Sequence, residues 1–245
     1  MKKSLILVLF TSLSLVVYSG PDTSLRQNVL EKRVVKGRVT NAAGKPLANV
    51  KVVIENTVFY ASYVYAVTNA AGNYRVSVPN GSWKASVKIE KLFAGKLYRF
   101  DLHPDNAAPF AGSDGAIRNF SWRLSGAKPD GTGFYGSQVA VYSEPGSSFG
   151  MNEVELTLAP DGLLADSSKG KVITKSLIDI GGSEDGIRDV PIGKYNITAR
   201  NSATGKPLQI RLRNKGNYAD AVTGIFSSGF TGVTTYQIVV QVQEN

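Results

Sequence analysis

The chain has 245 residues, of which 42% are hydrophobic and 19% charged, with no cysteine, one histidine, 25 glycines and a formal net charge of +9. That length allows one large domain or two of roughly 100 residues each, and the apolar fraction is too high for a disordered chain. The cysteine count excludes disulfides, thiolate metal centres, iron–sulfur clusters and cysteine nucleophiles, and His103 alone cannot build a two-histidine metal site or most triads.

At the N-terminus, Lys2 and Lys3 precede an almost wholly apolar run from Leu5 to Val17, followed by Tyr18-Ser19-Gly20-Pro21. A basic start, a short apolar run and small residues after it read as a secretory signal peptide, and the run is shorter than the ~20 residues that span a membrane. Pro21 places the expected cut after Ser19, so residues 1–19 are the signal and 20–32 an N-terminal segment, with a short helix expected around 23–32. Without cysteine the lipoprotein route is closed, and no later apolar run has spanning length. The expectation is an exported protein, periplasmic, extracellular or cell-surface associated, with no transmembrane segment in the mature chain.

Beyond residue 33 the recurring pattern is period-2 alternation in short runs broken by Gly, Asn, Asp and Pro. Val35, Gly37 and Val39 come first, then Val50, Val52 and Ile54, then Tyr74, Val76 and Val78, and then Trp83, Ala85, Val87 and Ile89. Later runs place Val154, Leu156 and Leu158, then Tyr195, Ile197 and Ala199, then Leu208, Ile210 and Leu212, and finally Tyr236, Ile238, Val240 and Val242 on one face each. One apolar and one polar face per strand suits antiparallel sheets, and many short strands with frequent turns suit sandwiches. The fold class expected is all-β: two antiparallel β-sandwich domains, prealbumin- or Ig-like, in tandem after the signal peptide.

Residues 125–133, Ser-Gly-Ala-Lys-Pro-Asp-Gly-Thr-Gly, carry no apolar run and mark the boundary. The first domain is expected at 33–125, a linker at 126–132 and the second domain at 133–245. An internal echo supports the division: Val78-Pro79-Asn80-Gly81-Ser82-Trp83 resembles Val190-Pro191-Ile192-Gly193-Lys194-Tyr195. In both, Pro-X-Gly turns the chain and an aromatic residue opens the next strand.

Gly37-Arg-Val-Thr-Asn41, Gly44-Lys-Pro-Leu-Ala-Asn-Val50-Lys-Val-Val-Ile54, Thr68-Asn-Ala-Ala-Gly72-Asn-Tyr74 and Pro79-Asn-Gly81-Ser-Trp83 follow one another in order. As a set they resemble the carboxypeptidase regulatory-like domain over about residues 33–90, with Trp83 where that family usually has tyrosine. The resemblance implies a prealbumin-like, transthyretin-like sandwich of roughly seven strands, a fold grouped with carbohydrate-binding-like domains. Residues 91–125 look like an extension with spacing atypical of the family. The motif residues are scaffold: Gly44 and Gly72 sit where tight turns favour positive φ, and Pro46 and Pro79 flank strands.

Catalytic chemistry finds little to work with. His103 is followed by Pro104, Asp105 and Asn106 and has no partner histidine, no Gly-x-Ser-x-Gly occurs, and the acidic residues Asp161, Asp166, Glu184, Asp185 and Asp189 read as solvated turn residues. Gly181–Asp189 lacks the alternating carboxylate ladder of a calcium loop. No enzyme activity, cofactor or metal is expected.

The charge is uneven. Residues 33–125 hold 13 Lys and Arg against 5 Asp and Glu, residues 133–245 hold 10 against 11, and the first region also holds both tryptophans and 12 of the 23 aromatic residues. A basic, aromatic-rich surface can hold acidic glycans, lipopolysaccharide phosphates or nucleic acid, of which export makes nucleic acid the least suited; the alternative is a basic surface that serves only solubility. The segment Thr57–Val67 reads as a strand apolar on both faces, with Phe59, Tyr63, Tyr65 and Val67 on one side and Val58, Tyr60, Val64 and Ala66 on the other. One face belongs to the core; the other either packs against residues 91–125 or stands open as a platform for sugar rings. Trp122 shares a face with Phe120 and Leu124 and is expected in the core. The functional expectation is an exported, non-catalytic carbohydrate-binding protein with Tyr60, Tyr63 and Tyr65 stacking on a polysaccharide and Arg99 or Arg118 meeting acidic groups. The alternative is a structural or adhesive surface protein whose partners are other proteins.

Overall fold

The computed structural model describes residues 29–228 and 235–244. The signal peptide lies outside them, as does most of the helix expected around 23–32; its described part, 29–32, is not helical. Among the described residues no helix is long and apolar enough to cross a membrane. The one helical element is a single 3-10 turn, Met151–Glu153; everything else regular is strand.

Nine strands lie before residue 125: β1 (Val34–Asn41), β2 (Lys51–Asn56), β3 (Tyr63–Val67), β4 (Asn73–Ser77), β5 (Ser82–Phe93), β6 (Lys96–Leu102), β7 (Phe110–Ala111), β8 (Ala116–Ile117) and β9 (Phe120–Trp122). They form two sheets. One runs β4-β1-β8, with β9 also on β1; the other runs β3-β2-β5-β6, with β7 on β5. Alternation builds the sandwich between them, because Val35, Val39, Tyr74, Phe120 and Trp122 from one sheet and Val52, Ile54, Trp83, Ala85 and Val87 from the other are all buried. The Phe100 and Trp122 rings meet across the sheets at 5.3 Å.

The family-like motifs have local causes. The Asn41 side-chain oxygen accepts from the N–H groups of Ala43 and Lys45, and the Asn69 oxygen accepts from those of Ala71 and Asn73. Each asparagine thereby closes the turn that its glycine completes. The Thr68 hydroxyl donates to the Leu47 carbonyl and accepts from the Val50 N–H, tying two loops together inside the protein. Gly37 answers to a different constraint: a Cβ there would lie 1.9 Å from the Arg118 carbonyl oxygen.

Residues 91–125 are not an appendage. β6 continues the second sheet, and β8 and β9 return along β1 as parallel neighbours, pairing Val35 with Ala116 and Val39 with Phe120. The segment supplies the strands that finish the first sandwich.

Ten further strands follow: β10 (Ser137–Ser143), β11 (Val154–Pro160), β12 (Ile173–Ser176), β13 (Ile178–Gly181), β14 (Glu184–Val190), β15 (Lys194–Asn201), β16 (Pro207–Leu212), β17 (Lys215–Ala219), β18 (Val222–Ile225) and β19 (Gln237–Gln243). Their order is β12-β11-β15-β16-β19-β10-β14-β13, with β17 on β16 and β18 on β15. Only two residue pairs join β15 to β16, Ala199 with Leu208 and Arg200 with Pro207. The sheet turns over at that join and buries Leu156, Leu158, Tyr195 and Ile197 along with Val139, Ile210, Ile238 and Val240. All pairings here are antiparallel except β10 with β19. Glu184, Asp185 and Asp189, expected in a solvated turn, lie within β14.

The sequence echo is also an echo of contacts. The Trp83 indole N–H donates to the Pro79 carbonyl at 3.0 Å, and the Tyr195 hydroxyl donates to the Pro191 carbonyl at 2.9 Å. In each case the aromatic residue bonds back across the Pro-X-Gly turn and seats its ring beside the glycine.

The segment between β9 and β10 folds on itself. Lys128 N–H donates to the Gly133 carbonyl, and Tyr135 N–H to the Gly126 carbonyl. Its base is held by Asp189, whose carboxylate accepts from the N–H groups of Gly126 and Gly136. We propose two domains divided at this hairpin, since among the described residues no strand before it pairs with a strand after it.

Two outcomes are expected. Gly37→Ala should cost about 3 kcal/mol or more in urea unfolding, because the new methyl would sit inside the van der Waals radius of a backbone oxygen that cannot move without breaking β1 from β8. Proteinase K should cut first at the exposed tip, 129–133, and the two fragments should still co-elute on gel filtration. Early cutting elsewhere, with no stable fragments, would contradict the division.

Candidate functional site

β2 leaves the sheet through a fixed turn. The buried Asn56 side-chain oxygen accepts from the N–H groups of Val58 and Phe59, both at 2.9 Å, and the Thr57 hydroxyl donates to Ser82 Oγ at 2.7 Å. Ala61 turns the chain back at φ 54°. The strand expected over 57–67 is therefore shorter: residues 57–62 form the turn and only Tyr63–Val67 pairs. Val58, Phe59 and Tyr60 project from that turn, with Tyr60 99% exposed.

Within β3, alternation points Ala66 and the half-buried Val64 inward. Tyr63 (42% exposed) and Tyr65 (50%) point outward, as does Val67. The two tyrosine rings stack at 6.1 Å between centroids and 21° between planes. Lys51, on the neighbouring strand, holds its ammonium 3.8 Å from the Tyr65 ring centre, a cation over a π face. Tyr63 stands opposite Glu55, Tyr65 opposite Val53 and Val67 opposite Lys51. Within 91–125, β8 and β9 pair with β1 while β6 and β7 pair with β5, and the two tyrosine rings stay exposed. This strip offers flat rings with polar tips beside lysines and one carboxylate, a surface able to stack on a sugar ring and bond to its hydroxyls.

The two arginines do not join it. Arg99 shares the outer face of the sheet, but β2 and β5 separate β6 from β3, which at ~4.8 Å per strand sets it about 14 Å or more away. Its guanidinium pairs with Glu90 at 2.7 Å. Arg118 is a correction: it is only 7% exposed, and its guanidinium donates to the carbonyls of Ile117 and Ala108 and lies over the Phe110 ring. Burial lowers its pKa, with Asp105 opposing. Buried and bonded to two backbone carbonyls, Arg118 supports the fold rather than the open face. Elsewhere in this domain, Lys84 pairs with Glu55, Lys88 with Asp101, and Arg75 and Lys36 with Glu31. Much of the positive charge counted in the sequence is thus locally compensated, and exposed pairs of this kind add little stability.

The two halves of the proposed division meet through β6. Tyr98 packs on Tyr236 at 4.9 Å, its hydroxyl donates to the Phe226 carbonyl at 2.7 Å, and the Tyr236 hydroxyl accepts from the Arg99 N–H at 2.7 Å. Burial, with Tyr236 assisting, pushes the Tyr98 phenol up to about 12. His103 lies in the same region, edge-on to Tyr135 and 3.5 Å from Asp130. Among the described residues no group of three or more His, Asp or Glu side chains is placed to hold a metal ion.

Residues 34–106 match the family model of the carboxypeptidase regulatory-like domain. The resemblance read from residues 33–90 is borne out and runs past the end of β6, to residue 106. No curated protein matches the chain. Among solved structures, the Bacillus anthracis TIE protein is 9% identical with a TM-score of 0.35, over 87% of this chain and 34% of that one. This chain therefore spans about a third of that protein's length. A DUF3823 family protein from Bacteroides ovatus is 11% identical with a TM-score of 0.25, over 78% and 98%. A streptococcal ancillary pilin is 12% identical with a TM-score of 0.26, over 87% and 62%. The all-β assignment rests on the strands themselves.

Tyr98→Phe isolates the interdomain bond. The variant should lose about 1 kcal/mol at neutral pH. A phenol raised above its ordinary 10.0 stabilises fully below pH 10 and loses that contribution as pH rises through about 12. Urea unfolding followed across that window should therefore fall more steeply for the wild type than for the variant.

Proposed function

We propose that the protein is an exported, non-catalytic binding protein whose regulatory-like domain holds a saccharide on the open face of β3. The observation that carries this reading is the outward, mutually stacked pair Tyr63 and Tyr65, extended by Tyr60 and Phe59 on a turn pinned at its base. Large apolar side chains left in water on a rigid element are unusual away from recognition surfaces. Here the turn and strand are ordered by buried bonds, so binding would cost little further conformational entropy. The basic N-terminal start and apolar run support export. Lys51, over the Tyr65 ring, borders the strip and would favour an acidic glycan over a neutral one, while Lys84 is held by Glu55.

A protein-contact role has one observation in its favour: β3 is the edge of its sheet and leaves main-chain donors and acceptors free to pair with a partner's strand.

A glycan array probed with the full chain should show binding to a polysaccharide. Stacking contributes about 1 kcal/mol per ring, so Tyr63→Ala and Tyr65→Ala should each weaken it about fivefold while leaving the urea midpoint nearly unchanged. An array blank for every glycan would leave the edge-strand reading standing. Unfolding by either substitution would show that the rings support the fold instead.

A further inference from the structure

A second place gathers charge without the balance seen on the outer sheet face. Where the two domains meet there is a cleft of about 520 Å³, within the ~300–1,000 Å³ of small-molecule sites. Four cations line it: Arg99 from β6, Arg123 just after β9, Lys128 from the connecting hairpin and Arg188 from β14. Two carboxylates line it too, and both are engaged. Asp101 pairs with Lys88 at 3.3 Å, and Asp189 accepts from the N–H groups of Gly126 and Gly136 at 2.9–3.1 Å. Arg99 is answered by Glu90. Arg123 and Lys128 have no carboxylate partner among the described residues. Arg188 donates through Nη2 to the Asp179 carbonyl at 3.0 Å, but its Nε is buried and has no hydrogen-bond partner. A buried donor without an acceptor is costly and uncommon, and a guanidinium presents its donors in a fork that fits two oxygens of one anion.

We propose that this cleft binds a small oxyanion-bearing ligand, a carboxylate, sulfate or phosphate group held among Arg123, Lys128 and Arg188. The walls are preorganised for it. Asp189 stands at φ 59°, outside the usual range for a residue with a side chain, and its carboxylate clamps both ends of the hairpin that carries Lys128. The cations come from both domains, so neither domain alone completes the site. A compact anion would neutralise charges gathered on the walls of one cleft and would add a contact between the domains. The site is independent of the tyrosine strip, from which β2 and β5 separate it.

The test is isothermal titration of the full chain with galacturonate, sulfate and inorganic phosphate, with glucose as the neutral control. At least one anion should bind with one-to-one stoichiometry, and glucose should not. Arg123→Ala and Lys128→Ala, both at exposed or half-exposed positions, should each weaken it about fivefold or more, as loss of a charge-assisted hydrogen bond does. Tyr63→Ala should leave anion binding unchanged, which separates this site from the strip whichever way the glycan experiment falls. Preference for galacturonate would assign the ligand to acidic saccharides; preference for phosphate or sulfate would assign it to free or esterified inorganic anions. The proposal is overturned if no anion binds at about 10 mM, an affinity weaker than ~3 kcal/mol, or if the Arg123→Ala and Lys128→Ala proteins bind as tightly as the wild type.

Discussion

The architecture depends on how closely the chain approaches itself at Gly37. β1 has β4 on one side and, on the other, a returning segment whose residue 118 carbonyl lies where any Cβ at position 37 would be. That contact brings β8 and β9 alongside β1 in parallel, an arrangement that needs a long crossover rather than a tight turn. The crossover is the stretch from β2 through β7, all of which but β4 forms the opposing sheet. Tyr74 seals the approach by donating its hydroxyl to the Arg118 carbonyl at 2.7 Å, and its burial there lifts the phenol well above its ordinary range.

Two properties of the surface follow from this one contact. β8 and β9 are committed to β1 and β7 to β5, and Tyr63 and Tyr65 remain in water. The same commitment carries Arg118 inside, where it serves two carbonyl oxygens rather than a ligand. It also delivers the chain after β9 to the domain junction. Arg123 and Lys128 thus line the same cleft as Arg188, which forms between elements distant in sequence.

The sequence was legible where strands are long enough to alternate. β1, β2, β5, β11, β15 and β16 each alternate more and less buried positions over five residues or more, and most of their apolar residues are those found in the core. The Asn-x-x-Gly turns and the Pro-X-Gly corners were legible because their hydrogen bonds are local. β7, β8 and β9 have two or three residues, too few for a period, so residues 91–125 read as an extension. Arg118 was misplaced for a related reason. What keeps it buried is a pair of backbone carbonyls and the face of Phe110, and backbone acceptors leave no mark in composition. Asp189 was read as a turn residue because aspartate is common in turns. Its role, accepting N–H groups from residues 53 and 63 positions away, is visible only after folding.

The strip and the cleft differ in the physics by which a ligand would be held, and that difference bears on how the two domains cooperate. The strip belongs wholly to the first domain, is flat and open, and offers stacking energies that are small for one sugar and accumulate along a polymer. The cleft needs both domains, is concave, and relies on charge in a partly desolvated place, where each contact is stronger and salt weakens it less than on an open surface. Tyr98 and Tyr236 join the two through one continuous buried contact, with Arg99 touching both environments: its backbone bonds to Tyr236 while its side chain answers Glu90 on the outer sheet face. A ligand that tightened the cleft would therefore fix the orientation of the sheet that carries the strip, because β6 is at once a wall of the cleft and a strand of that sheet.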